Sequence, residues 1–564
     1  MLNILRNYIK TSKIAEIDSF LYRLTFDILK DRYLSITYFF DDRINYISIK
    51  NKEYYNLLLS KFKEKDNLYT VFWISTLYAN YMNKINRKRL GAYFTPPYIS
   101  NLLLNETFNV LNKPHHSYTF GDICCGGGAL LVPLARKLIQ EMEEKNISSS
   151  QIVLNIQNSL SGVEIEHFLL TLTKIFIIAE LNDHIQASGI YPHLNLHHMD
   201  ALELNLKNNQ FDVIIGNPPY KTLSTEEHNK YKKNFGHIMD GNSNLYPVFL
   251  DKSLNLLKPD GILSVIIPTS FYSSKNFVKS RQRISQSGQV TSVLWLTNRK
   301  GIFYDVLQET SVLTVDCGKS QKNGATRVRS LTKGTISNFS TRIPSRQGKK
   351  PWSIPKNKEQ ANILHAAEQA PFRLRDYGYH ISIGSLVWNR DQRQRFVKFP
   401  PDGHKRGIYP IIWPFQIGSD GWFALHRKPA RHRELFILMG KDQNGVVTNQ
   451  SVALKRTSPS GSQRLLVCAS IPMTLMEHYG GFVAENHIII LTRDKNRWSI
   501  EPTQLADILN SYSVNLAYHC FSGTVSVSRY ALENLPLPDP NVVLESVQEG
   551  NSIEESALAG YGVT

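Results

Sequence analysis

Cysteine is scarce in this chain of 564 residues, which has five: Cys124, Cys125, Cys317, Cys468 and Cys520. An odd count without a Cys-x-x-Cys pair argues for reduced thiols in a cytoplasmic protein. Long apolar runs are also missing. No uninterrupted stretch approaches the roughly 20 residues that span a bilayer, and the opening "MLNILRNYIKTSKIAEIDSF" mixes charge and polarity where a secretory segment is apolar. The third shortage is acidic side chains, 48 against 65 Lys and Arg, for a formal net charge of +17. Nearly the whole imbalance falls between residues 321 and 440, where 22 Lys and Arg face 7 Asp and Glu. A short run of this kind reads as a solvated surface. Over this length, interleaved with Trp352, Trp388, Trp413 and Trp422, it reads as a face for a polyanion. Nucleic acid is the leading partner, and an anionic membrane is second because no basic amphipathic helix stands out.

What is present suits a chain of several domains. The length predicts two to four, and 42% hydrophobic with 11% aromatic residues provides for substantial cores. Residues 1–88 read as a helical region, with apolar spacing such as Leu21, Leu24, Ile28 and Leu29. "GAYFTPP" at 91–97 breaks that pattern. From about residue 117, strand-like runs ("SYTFGDI", "LSGVEI", "LNLHHMD", "FDVIIGN", "ILSVIIP", "VTSVLWL", "ETSVLTVDC") alternate with helical ones ("ALLVPLARKLIQEMEE", "EHFLLTLTKIFIIAELN", "NLYPVFLDKSLNLL"). Alternation at this spacing predicts βαβ units, hence an α/β fold on a mostly parallel sheet. After about 320 the periodicity changes. "SRQGKKPWSIPKNKEQ" reads as a linker, 355–540 as mixed shorter elements, and the small-residue-rich acidic end, 541–564, as a disordered tail.

Four stretches carry candidate chemistry. "YTFGDICCGGGALLV" sets Asp122 at a strand end before Gly126, Gly127 and Gly128, a turn into a helix whose backbone a nucleotide-like cofactor can approach closely. No Gly-Lys-Ser/Thr follows it and the GxGxxG spacing is missing, so it is neither a phosphate loop nor a dinucleotide fingerprint. Cys124 and Cys125 lack partner spacing for zinc and read as small packing residues. Glu164 closes the strand "LSGVEIE", where a carboxylate can take both hydroxyls of a ribose. The wider gap from the glycines calls for a longer crossover helix and loop. Asp200, in "LHHMDAL", can accept from an exocyclic amine, whereas His197 and His198 share no metal spacing with a third ligand and read as structural. "FDVIIGNPPY" ends a strand in Asn217, Pro218, Pro219 and Tyr220. The prolines cannot continue a ladder, so the motif presents groups at the carboxyl end, where open α/β sheets bind ligands.

The order of "GAYFTPP", "DICCGGG", "GVEIE", "MDAL" and "GNPPY" resembles the adenine-specific (N6) DNA methyltransferases of type II restriction–modification systems, in their γ arrangement, over roughly residues 88–540. The resemblance implies a Rossmann-like, mostly parallel seven-stranded S-adenosylmethionine-dependent methyltransferase domain at 89–335 and a mixed α+β DNA target-recognition domain at 336–540. It implies methyl transfer from S-adenosylmethionine to the N6 amine of a flipped adenine in double-stranded DNA. Asn217 and the Pro218 carbonyl would accept the amine hydrogens, with Tyr220 stacked on the base and Phe303, from "GIFYDV", on its other side. The cofactor would lie on Gly126 and Gly128 beside Asp122, its ribose on Glu164, its adenine on Asp200 and its carboxylate end on Thr95, with Tyr93 nearby. The usual Pro-Ala-Cys-Gly-Ser-Gly is here Ile-Cys-Cys-Gly-Gly-Gly, which keeps the glycines. A separate cognate restriction endonuclease and a prokaryotic, cytoplasmic, nucleoid-associated location follow from the resemblance alone.

Target reading then falls to the basic segment. Arg390, Arg393 and Arg395 in "RDQRQRF", and Lys428, Arg431 and Arg433 in "HRKPARHRE", are available for phosphates and guanine edges. The alternatives are a methyltransferase acting on RNA or on a protein glutamine, since an amide nitrogen can use the same Asn-Pro-Pro-Tyr device. A non-enzymatic DNA-binding module would predict loss of Asn217 or the glycines. A fused nuclease would need more than 88 residues ahead of the motifs.

Overall fold

Nine strands, most of them buried apolar runs, form one sheet among the described residues. The structure, a computed structural model, describes residues 17–39, 52–81, 94–203, 210–296 (except 242), 309–319, 325–332, 335–341 and 350–563. Within the last range 420, 428–433, 441–442, 459–461, 463, 495–496, 498 and 523–525 are left out. The chain divides into two compact units, one of residues 1–268 with 276–348 and the other of residues 269–275 with 349–564.

In the first unit the strands are β1 (Phe120–Asp122), β2 (Leu160–Glu164), β3 (Asn195–His198), β4 (Phe211–Gly216), β5 (Leu257–Pro268), β6 (Gln289–Leu296), β7 (Thr310–Asp316), β8 (Thr326–Thr332) and β9 (Thr335–Thr341). Their order is β3-β2-β1-β4-β5-β7-β6-β8-β9. The first five run parallel, with Phe120 beside both Leu160 and Val213, whereas β7 is antiparallel to β5 and β6. The methyltransferase-like sheet is therefore two strands larger than the seven expected. "TRVRSLT" and "TISNFST" form an antiparallel hairpin on its edge, where a new domain was expected to begin at 336. The hairpin stays because Val328 and Leu331 are buried and because Arg327 and Arg329 reach the fully buried Glu106 at 3.2 and 2.5 Å. Removing both arginines would leave the Glu106 carboxylate uncompensated in the interior.

The described helices of this unit are α1 (Ile17–Leu29), α2 (Lys52–Lys63), α3 (Asn67–Tyr81), α4 (Pro97–Phe108), α5 (Leu131–Glu144), α6 (Ser149–Ser159), α7 (His167–Glu180), α8 (Asn182–Ser188), α9 (Thr225–Phe235), α10 (Tyr246–Leu256) and α11 (Val278–Ser287). The gap between the glycines and Glu164 holds two helices, not one long one. Asn146, at φ 53°, turns the chain after α5, and Ser148 caps α6 by accepting from Gln151 N. The N-terminal helices do not stand apart from the sheet. Phe20, Leu21, Leu24 and Ile28 of α1 and Ile74 and Leu77 of α3 share a hydrophobic core with α5 and α7.

The second unit holds a four-stranded antiparallel sheet in the order Tyr379–Ile383, Ile488–Arg493, Ser451–Lys455, Cys468–Ser470, and a five-stranded mixed sheet. Two expectations fail here. The described part of the expected linker is packed: Trp352 is fully buried, Ile354 N donates to Cys520 O at 3.0 Å, and Asn357 caps the helix Lys358–Gln369. The expected disordered tail forms the helices Pro540–Gln548 and Ile553–Gly560. Its composition misleads because the small residues permit close packing and the acids serve helix starts. Gly560 lies where a Cβ would come within 2.7 Å of Pro538, Glu555 completes a capping box with Ser552, and Glu554 accepts from the first N–H groups of the helix Tyr512–Phe521.

Candidate active site

Strand order reverses between β1 and β4, and the carboxyl ends of β1, β2 and β4 deliver Asp122, Glu164 and Asn217 to one cavity of about 830 Å³. Thr95, Gly126 and Asp200 line it as well. The turn after β1 requires its glycines. Gly126 and Gly128 have φ of +55° and +86°, and a Cβ on Gly128 would sit 2.8 Å from Val132 and 3.2 Å from the Thr173 backbone. A Cβ on Gly127 would meet Ser75 Oγ of α3 at 2.0 Å. Cys125 is buried against this packing, and burial pushes both adjacent thiols up, which suits inert packing residues.

The carboxylates differ in how they are held. Asp122 is buried, accepts from Cys124 N at 3.0 Å, and is pushed up to about 7 by desolvation, with the Glu164 charge adding to it. Glu164 accepts from Gly126 N with one oxygen and from Ile165 N and Glu166 N with the other, each at 2.9 Å. Burial still raises its pKa, against the pull of those donors. Asp200 accepts from Leu202 N at 3.0 Å on one oxygen and from the Tyr231 hydroxyl at 3.1 Å on the other. A cavity lined by ionisable acids and a bare glycine backbone suits a cationic, nucleotide-like ligand.

At the β4 end, Asn217 Nδ2 donates to Thr95 Oγ1 at 3.0 Å, and the Tyr220 hydroxyl lies 2.5 Å from Asn217 Oδ1 and 3.0 Å from Ile266 O. Thr95, which the resemblance assigns to the cofactor's carboxylate end, is thus placed on the amide of Asn217. Tyr220 holds the same amide through its hydroxyl, with its ring edge-on to Tyr246 at 6.0 Å. Pro218 is buried between them in sequence, fixing the backbone that carries its carbonyl.

Several groups at the cavity carry no motif. Thr173 Oγ1 donates to Gly126 O at 2.8 Å, and Tyr78 donates to Glu166 at 3.0 Å, so α3 and α7 brace the glycine turn. Lys221, Lys230 and Tyr231 line the cavity from the chain that follows Tyr220. Their only signal in the sequence was proximity to "GNPPY". His197 is half-buried and His198 exposed, and they hydrogen-bond to Asn195 Oδ1 and Ile165 O. Tyr93, Phe303, Lys428, Arg431 and Arg433 lie outside the described residues. In the second unit Arg390 is exposed, Arg395 donates to Trp388 O at 2.7 Å, and Arg393 is clamped on Asp391, which makes it a poorer candidate for a phosphate than its neighbours. None of the described helices is long and apolar enough to cross a membrane.

Residues 131–303 match the family described as Eco57I restriction-modification methylase. The type II methyltransferase M.BsuBI of Bacillus subtilis is 24% identical over 492 residues, covering 83% of this chain and 93% of that one. The modification methylase CviBIII of Paramecium bursaria Chlorella virus NC1A is 27% identical over 212 residues, which are 37% of this chain and 46% of that relative. Among solved structures, the Type IIL restriction-modification enzyme MmeI in complex with DNA superimposes with a TM-score of 0.55 at 12% identity, covering 100% of this chain and 90% of that one. At that identity the superposition speaks for the fold alone.

Proposed function

We propose, from the match of residues 131–303 to the family described as Eco57I restriction-modification methylase, that the chain is a site-specific DNA methyltransferase transferring a methyl group from S-adenosylmethionine to the N6 amine of adenine. The observation that carries this reading is the placement of Asn217-Pro218-Pro219-Tyr220 at the end of β4, on the cavity that holds Asp122, Gly126, Glu164 and Asp200. The ligand it implies fits. About 830 Å³ lies within the usual range for small-molecule sites, the acids match a sulfonium and an ammonium group, and Glu164 stands at a strand end where ribose hydroxyls are bound.

Bound there, S-adenosylmethionine would supply an electrophilic methyl group on sulfur. Gly126 and Gly128 would bear its methionine part with Asp122, while Glu164 would take its ribose and Asp200 its adenine amine. Asn217 Oδ1 and the Pro218 carbonyl would accept the two hydrogens of the target amine, drawing its lone pair out of conjugation with the ring and toward the methyl carbon. Such catalysis is positioning and electrostatic complementarity, with no general base required before attack. Thr95 and Tyr220 hold the Asn217 amide, and Tyr220 would turn to the flipped base once it enters. Phe303 would cover the other face of that base, and Tyr93 would lie beside the cofactor.

Residues 89–348 then serve as the catalytic part and 349–564 as the target-recognition part, with Arg390 and Arg395 on the DNA backbone or base edges, joined by Lys428, Arg431 and Arg433. The biological setting is a cytoplasmic modification enzyme that protects DNA from a separate cognate endonuclease. The reading is tested by offering labelled S-adenosylmethionine with unmethylated duplex DNA, RNA or protein. Label is expected in DNA with wild type and in none of the three with Asn217→Ala. Label in RNA or protein alone would retain the chemistry and overturn the substrate.

A further inference from the structure

The chain that leaves Tyr220 returns to the same place before α10. Leu245 N donates to Lys221 O at 2.8 Å, Leu223 N to Ser243 O at 2.9 Å, and Thr222 bridges Asn244 in antiparallel fashion. The intervening segment is therefore pinned shut at its base, next to Asn217. It contains α9, which starts with a Ser224–Glu227 capping box and buries a single residue, Phe235. A helix with so little apolar burial is not there to fill the core. Its cavity-lining residues include Glu227, Lys230 and Tyr231.

Two of these side chains converge on one carboxylate. The Tyr231 hydroxyl donates to Asp200 Oδ2 at 3.1 Å, and Lys230 Nζ stands 3.4 Å from the same oxygen and 2.7 Å from Glu203. Lys230 also lies 5.1 Å from the Tyr231 ring centroid, and that ring packs edge-on against Phe235 at 6.5 Å. Asp200 Oδ1 is held by Leu202 N. With both oxygens anchored the carboxylate cannot rotate, yet Oδ1, with Leu202 N as its one donor here, keeps a lone pair for a further donor. Burial and the Asp200 charge push the Tyr231 hydroxyl up to about 12, so it remains a donor at neutral pH.

We propose that α9 is a flap completing the adenine end of the cofactor site, with Tyr231 and Lys230 as positioning residues that hold Asp200 to receive the cofactor's exocyclic amine. The inference rests on the S-adenosylmethionine reading above and adds a specificity element to it. It predicts that discrimination at the purine 6-position depends on a hydroxyl that touches no part of the reaction. It also ties cofactor recognition to the segment that starts at the catalytic corner.

The test is a titration of the full chain with S-adenosylmethionine and with an analogue bearing hydrogen in place of the 6-amino group. Wild type is expected to prefer the natural cofactor. Tyr231→Phe, which keeps the ring and its packing, is expected to weaken S-adenosylmethionine by roughly five- to tenfold and the analogue by less than about twofold. Lys230→Gln is expected to shift the same ratio by a smaller factor. Equal losses for both ligands, or no loss for either, would overturn the proposal, as would a wild type that binds both ligands equally. Absence of S-adenosylmethionine binding by wild type is a different failure, visible before any variant is compared, and it defeats the functional reading itself together with this inference.

Discussion

At the β1–β2 end of the cavity the recognition groups are fixed by backbone N–H donors, whereas at the β4 end Asn217 is fixed by the side chains of Thr95 and Tyr220. Glu164 takes three main-chain donors, including Gly126 N, and Thr173 closes the same turn by donating to Gly126 O. None of these bonds has to be remade for a ligand to bind. The Asn217 amide, in contrast, is satisfied by side-chain groups that must share it or release it when an amine arrives. One end is preorganised by chain geometry, and the other is held ready by exchangeable contacts. Substitutions at the first should therefore damage folding and cofactor affinity together, while substitutions at the second should damage turnover alone.

The largest effect should come from removing the acceptor itself. Asn217→Ala is expected to lower methyl transfer by about 10³ or more with S-adenosylmethionine affinity within about twofold of wild type, measured by single-turnover kinetics and calorimetry. Comparable loss of cofactor affinity would erase the distinction between the two ends. Next is Gly128→Ala, which adds a Cβ against Val132 and Thr173 at a φ of +86°. It should cost roughly 2–4 kcal/mol of stability and weaken the cofactor, read from denaturant unfolding and binding on the same samples. Thr95→Val removes one hold on the amide. About a tenfold fall in kcat is expected, with a smaller change in cofactor KM; the reverse split would return Thr95 to the cofactor's carboxylate end.

The smallest effect sharpens the electrostatics of the first end. The Asp122 carboxyl is pushed up to about 7 in the folded protein from its ordinary value of 3.8. The folded state therefore binds the proton more tightly than the unfolded one, and the resulting stability is fully present below about pH 4 and lost as pH rises through 7. A cationic ligand favours the ionised carboxyl. The rise in Tm produced by S-adenosylmethionine should grow between pH 6 and 8, and Asp122→Asn should flatten that trend. A trend that persists in Asp122→Asn would assign the proton elsewhere.

Much of the first end was legible because its device is local: a strand, an Asp and three glycines in succession, then a helix. Asn217-Pro218-Pro219-Tyr220 was legible for the same reason, since two prolines must end a strand. Tyr231, Lys230, Ser75 and Tyr78 were not, because their roles arise when distant segments converge and no spacing encodes that convergence. The β8–β9 hairpin was missed for a different reason. Its Thr, Ser, Arg and Lys content resembles a loop, and its place in the sheet depends on Glu106, more than 200 residues earlier. The tail was misjudged because small and acidic residues describe disorder in solution and equally describe close-packed, capped helices.

Nucleoside analysis of duplex DNA after incubation with the full chain and labelled S-adenosylmethionine tests the central claim most directly. The account predicts label in N6-methyladenine with wild type and none with Asn217→Ala. Label in a methylated cytosine, or in N6-methyladenine at wild-type levels from Asn217→Ala, would contradict it.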